Sequence, residues 1–90
     1  MRPHELLEAA LASCANMNIR IHADKYGIPL TKVVTKVSVD RTQPGKTIFN
    51  YSCSFEGTLS DAQREELNRI AGQCAVRETL SKTISFVKND

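Results

Sequence analysis

The sequence predicts an α+β domain in which one long helix covers an antiparallel hairpin, in the order helix-strand-strand-helix-strand. Three observations predict it. Residues from Pro3 to about Tyr26 carry apolar side chains at helical spacing. Two segments, 32–40 and 47–56, alternate apolar and polar residues about a turn at Gln43-Pro44-Gly45. Ser60-Asp61-Ala62-Gln63 then has the form of a capping box, where a serine and a glutamine three residues apart satisfy the free N–H groups of a helix start.

The first helix opens on Pro3, whose ring suits a first helical position, with Glu5 and Glu8 near the positive end of the dipole. Leu7, Leu11, Cys14, Ala15 and Asn18 mark one face; Leu6, Ala10, Met17 and Ile21 mark another. Two apolar faces predict a helix covered on most sides. The small residues of Ala9-Ala10-Leu11-Ala12-Ser13-Cys14-Ala15 let a second backbone approach closely. Gly27 and Pro29 end the helix.

In the first strand Val33, Thr35, Val37 and Val39 share one side and Lys32, Lys36, Ser38 and Asp40 the other. In the second, Phe49, Tyr51, Cys53 and Phe55 are expected on the inner face. Leu67, Ile70, Ala71 and Cys74 follow the buried stripe of the second helix, and Ala75 to Leu80 is compatible with a further short helical turn. Lys82 to Lys88 is predicted to close the fold as a third strand, with Ile84 and Phe86 on one side and Val87 on the other.

Ninety residues amount to one domain, 1–90, near the lower end of what folds alone, so dimerisation is expected. A hydrophobic share of 41% and a charged share of 24% are ordinary for a soluble globular protein. Twelve basic and ten acidic residues leave +2 with no dense Lys/Arg run, which gives no electrostatic footprint for nucleic acid or an anionic membrane. No apolar stretch approaches the roughly 20 residues that a membrane helix needs. Three widely spaced cysteines do not form a secreted disulfide framework, and the start lacks a secretory layout, so a reducing cytoplasm is the expected setting.

An arbitrary buried cysteine is a small core hydrophobe, and Cys53, in register with three aromatics, needs no other explanation. Cys14 and Cys74 each lie on the apolar stripe of a helix, and both stripes must face the same core. They are either two more core residues or a chemical pair; spacing alone does not bring them together. His4 and His22 form no metal-ligand spacing with a cysteine and read as surface or half-exposed residues. No phosphate loop, dinucleotide fingerprint or nucleophile elbow is present. Arg64-Glu65-Glu66 and Arg69 read as a solvated helix face.

The segments Pro3-His4-Glu5-Leu6-Leu7 and Ala9-Ala10-Leu11-Ala12-Ser13-Cys14 resemble the first cysteine motif of the osmotically inducible protein C (OsmC) and organic hydroperoxide resistance family. Arg20, Ala23 and Tyr26-Gly27-Ile28-Pro29-Leu30 resemble the end of that family's central helix. Leu67-Asn68-Arg69-Ile70-Ala71-Gly72-Gln73-Cys74-Ala75-Val76, with Thr79-Leu80-Ser81, resembles its second motif. The resemblance implies an α+β fold in which two chains intertwine, and thiol-dependent reduction of organic hydroperoxides. Cys14 would then be peroxidatic and Cys74 resolving, with an external dithiol as reductant and no metal or nucleotide cofactor. Family members carry further N-terminal strands that supply an activating arginine; this chain is N-terminally short by comparison, and no residue is assigned that role. His4 stands where the hydroperoxide branch has glutamate, and Ala75 where a proline is usual. On a straight helix His4 lies about 15 Å along the axis from Cys14, too far to be its base. A shortened, inactive dimeric module that binds an apolar ligand or a protein is the alternative expectation. A KH-like nucleic-acid binder ranks last, for want of a GXXG loop and a basic face.

Overall fold

The computed structural model describes residues 2–89. Helix α1 spans Pro3–Lys25, strands β1 Leu30–Asp40 and β2 Ile48–Gly57 form an antiparallel two-stranded sheet, and helices α2 Asp61–Ala71 and α3 Ala75–Leu80 follow. Helix α1 lies on β1 and packs against α2 and α3. The expected fold class is borne out through the second helix and the short turn after it.

Local chemistry fixes the boundaries. Glu5 reaches back so that its carboxylate accepts the Arg2 backbone N–H at 3.3 Å, closing the first turn of α1. At the other end Gly27 takes φ +64°, and the Ile28 N–H donates to the Ala23 carbonyl at 2.9 Å. That is the bond by which a left-handed residue terminates a helix, and it folds Ile28 back into the core. The capping box at α2 forms as predicted: Gln63 N–H donates to Ser60 Oγ at 3.1 Å and Ser60 N–H to Gln63 Oε1 at 2.9 Å.

Strand register pairs Val33 with Phe55, Thr35 with Cys53 and Val37 with Tyr51. The alternation of β1 is as expected, with Val33, Thr35, Val37 and Val39 half-buried and Lys32, Val34, Lys36 and Ser38 exposed. Gly57 comes so close to the turn before β1 that an added Cβ would stand 2.2 Å from the Pro29 carbonyl oxygen. The core is a cluster of Ile19, Ala23, Ile28, Leu30, Leu67, Ile70 and Ala71, with Val33, Cys53, Phe55 and Leu59 packed on it. Ile19 and Leu67, both at 0% exposure, are its centre, and burial of each contributes about 1.5–3 kcal/mol.

Three expectations are corrected. Residues 83–89 form no strand and pair with neither β1 nor β2; alternation alone cannot make a strand without a partner to pair with. Phe86 is 95% exposed there. Secondly, α1 buries one stripe, Leu11, Ala15, Ile19 and Ala23, instead of being covered on most sides. Its second face remains open, with Leu6, Met17 and Ile21 all about 60% exposed. Thirdly, α2 stops at Ala71, so Cys74 is not on its stripe. The Gly72 N–H closes onto Arg69 and Ile70 carbonyls, the chain turns, and Cys74 becomes the residue that caps α3.

Candidate functional site

Cys14 projects from the middle of α1 and is half-buried, whereas Cys74 is buried at 2% exposure in the turn between α2 and α3. Although 60 residues apart in sequence, they come near enough for Cys14 to influence the Cys74 thiol, and both are free. Burial pushes the Cys74 thiol above the ordinary cysteine range. The backbone N–H groups of Arg77 and Val76 act in the opposite direction, and the hydrogen bond and charge of Cys14 raise it further. The net effect favours the thiol form of Cys74. Its sulfur in turn accepts the Arg77 N–H at 3.4 Å.

One side chain holds this geometry together. Asn18, one turn beyond Cys14 on α1, donates through Nδ2 to the Ile70 carbonyl at 3.0 Å and the Gln73 carbonyl at 3.4 Å. It thus ties α1 to the turn that carries Cys74. The spacing of Asn18 marks its face but not its partners, which lie 52 and 55 residues away. Arg77 also escapes sequence reasoning. Its guanidinium donates to the Gly72 carbonyl at 2.9 Å, bracing the same turn from the other side.

A narrow crevice beside Cys74 is walled by Leu11, Ala15, Val37, Tyr51, Ala71 and Arg77, with Thr35. Leu11, Tyr51 and Arg77 are shared with an open groove of about 500 Å³, completed by Leu7, Thr47, Phe49, Leu80, Ser81 and Ile84. Tyr51 was expected inside with Phe49, Cys53 and Phe55; it is 45% exposed because it forms a wall of this groove. The groove adjoins the crevice that Cys74 lines, and its size falls within the roughly 300–1,000 Å³ of small-molecule sites.

The other sequence candidates lie apart from the pair. Cys53 is half-buried and sits 3.6 Å from the Thr35 hydroxyl, which also bonds the Asn16 side chain. His22 brings Nε2 to 3.1 Å from a Glu66 carboxylate oxygen, out of hydrogen-bond alignment, and its ring lies 4.6 Å from that of Tyr26. Both belong to the packing of α1. Among the described residues no group of three or more His, Cys, Asp or Glu could hold a metal ion, and no helix is long and apolar enough to cross a membrane.

A long helix laid on an antiparallel hairpin, with a second helix packed against it, defines an α+β domain of the OsmC type. The sequence profile described as OsmC-like protein matches residues 1–87, nearly the whole chain, and the chain belongs to that family. Its fold is similar to the crystal structure of an OsmC like protein from Mycoplasma pneumoniae, with a TM-score of 0.74 at 22% identity over 88% of this chain and 61% of that one. It is also similar to a protein from Psychrobacter arcticus 273-4, described in terms of osmotic stress induction and detoxification response. There the TM-score is 0.71 at 24% identity, over 86% of this chain and 58% of that one. The chain thus spans about three-fifths of the length of these structures. No curated protein matches it.

Proposed function

We propose that this chain reduces organic hydroperoxides through Cys14 and Cys74, as a cytoplasmic homodimer. The reading is supported by a half-buried Cys14 near enough to influence the thiol of a buried Cys74, which itself lines an apolar crevice. Cys14, the more open sulfur, attacks as thiolate the outer oxygen of the hydroperoxide. The O–O bond breaks, the alkoxide leaves and takes up a proton as the alcohol, and Cys14 becomes a sulfenic acid. Cys74 then attacks that sulfur, the hydroxyl departs as water, and a disulfide joins the two. An external dithiol returns both thiols to the reduced state by exchange. These steps need no metal or nucleotide.

The homodimer rests on the open face of α1. Leu6, Met17 and Ile21 repeat there at helical spacing around small residues, and a second copy would remove them from water. Overpacking through Ala12→Leu, or a charge through Met17→Glu, should weaken association measured by sedimentation.

The test is intact mass after treatment with an alkyl hydroperoxide. Wild type should lose two hydrogens, reversibly by dithiol. Cys74→Ser should gain oxygen, and Cys14→Ser should resist this first oxidation. Equal, slow oxidation of all three cysteines would sink the peroxidase reading. It would favour the second one, an inactive dimeric module for an apolar ligand, whose support is the groove itself.

A further inference from the structure

We infer that the dithiol which restores the pair attacks the sulfur of Cys74, not that of Cys14, and reaches it across the outer face of the α2–α3 turn, where a polar hollow opens beside it. The inference rests on the proposed pairing of Cys14 with Cys74 and adds the sulfur attacked and the surface used.

Cys74 stands between two spaces of different character. On one side lies the narrow crevice, walled by Leu11 and Ala15 of α1 and by Thr35, Val37 and Tyr51 of the sheet. On the other, Cys74 lines a hollow of about 320 Å³ with Gly72, Gln73, Arg77, Glu78 and Ser81. No residue of α1 or of the sheet lines that hollow, so it opens on the side of Cys74 turned away from the helix that carries Cys14. Its residues bring an amide, a guanidinium, a carboxylate and a hydroxyl, company that suits a hydrated thiolate better than an alkyl chain.

Thiol–disulfide exchange is a displacement at sulfur, in which the attacking thiolate approaches along the S–S axis, opposite the sulfur that leaves. With Cys14 on the α1 side, the line of attack on Cys74 comes from the side of the hollow. Leaving-group strength points the same way. Burial holds the Cys74 thiol above the ordinary cysteine range, so Cys74 is a poor sulfur to expel, and attack on Cys14 would have to expel it. The cover over Cys74 is α3, six residues with no buried side chain, which opens at little cost. In the first step a thiolate of the dithiol bonds to the Cys74 sulfur, the Cys14–Cys74 bond breaks, and its electron pair leaves on Cys14. The second thiol then loses its proton and attacks the first sulfur of the dithiol. Cys74 departs, the dithiol becomes a cyclic disulfide, and the two protons it gave up end on Cys14 and Cys74.

The disulfide is prepared with diamide, so no hydroperoxide enters and the outcome is independent of the peroxidase reading. A chain in which diamide joins no Cys14 to Cys74 overturns the pairing and this inference together, before any thiol is added. A brief pulse of 2-mercaptoethanol, quenched in acid, alkylated and mapped by peptide mass, should place the first adduct on Cys74 and leave Cys14 alkylated. A first adduct on Cys14 would overturn the inference. The face is read by charge, at two exposed positions: Glu78, which lines the hollow, and Thr47, which lines the groove. Glu78→Lys should speed reduction by 2-mercaptoethanesulfonate about three- to tenfold and leave that by cysteamine, whose ammonium offsets its thiolate, near the wild-type rate. Thr47→Lys should change neither. If Glu78→Lys loses its fold, Glu78→Gln should show the same selectivity at a smaller size. No response at Glu78, an equal response of the two thiols, or a larger response at Thr47 would each overturn the approach across the α2–α3 turn.

Discussion

Replacing Asn18 with alanine should loosen the two thiols from each other without touching either. The side chain makes two bonds to carbonyls of the turn that carries Cys74, at 3.0 and 3.4 Å. A net contribution of roughly 0.5–1.5 kcal/mol per bond, with the longer one at the low end, gives about 1–2 kcal/mol. The Ile70 carbonyl retains the N–H groups of Gly72 and Gln73 as partners, so no large burial penalty is added there. What is lost is the tether between α1 and the turn, and with it the effective concentration of one thiol at the other. One to two kcal/mol corresponds to a factor of about 5–30 in an equilibrium constant. The assay is equilibration in glutathione buffers of graded redox poise, followed by alkylation and quantification of the Cys14–Cys74 disulfide. Asn18→Ala should need a correspondingly more oxidising buffer for half-formation, while circular dichroism shows the helices retained. A folded Asn18→Ala protein whose disulfide forms at the wild-type poise would refute the assignment of Asn18 as the clamp.

Three further outcomes follow from the same geometry. Gly57→Ala should cost about 3 kcal/mol or more, since φ +143° and a Cβ 2.2 Å from a backbone oxygen combine strain with collision. Gly27→Ala, at φ +64° with open space around it, should cost only about 1 kcal/mol, and urea midpoints rank the two. Because the folded state raises the Cys74 thiol, its contribution to stability is whole below the ordinary cysteine range and is lost as pH rises through the folded value. Urea unfolding of wild type should therefore weaken on the alkaline side, and more steeply than that of Cys74→Ala. Cys53→Ala should lower stability by about 1 kcal/mol and leave peroxide consumption at the wild-type rate, because Cys53 faces Thr35 and the core instead of the thiol pair.

What sequence reasoning reached were the features written in neighbouring residues. Pro3 and Glu5 open α1, Ser60 and Gln63 cap α2, and the valines of β1 alternate as a half-buried strand must. What it missed depends on where elements end up. The apolar spacing from Leu67 runs on past Ala71 to Cys74 without a visible break, because one glycine, Gly72, does not by itself stop a helix. Tyr51 has the parity of an inward residue, but parity cannot say how far α1 extends over the hairpin. Residues 82–88 alternate like a strand, and alternation cannot supply an edge to pair with. At the site, the pairing of Cys14 with Cys74 is an expectation of the resemblance, since Cys74 lies beyond the stripe of α2. Asn18 and Arg77 were not reached, since hydrogen bonds to backbone carbonyls leave no mark in residue spacing.

The end of α2 at Ala71 gives Cys74 a mobility of its own. Six residues are too few to sustain a helix unaided, and α3 buries none of its side chains. Its opening therefore costs far less than global unfolding, whereas α2 is anchored by Leu67, Ile70 and Ala71. In hydrogen exchange, the amides of 77–80 should equilibrate with solvent well before those of 65–71. A thiol sealed at 2% exposure is thus guarded by the least stable helix in the chain. Solvent and reductant gain access to it through a single-turn fluctuation, on the sub-microsecond to microsecond scale of helix–coil exchange, while the core around Ile19 and Leu67 stays shut.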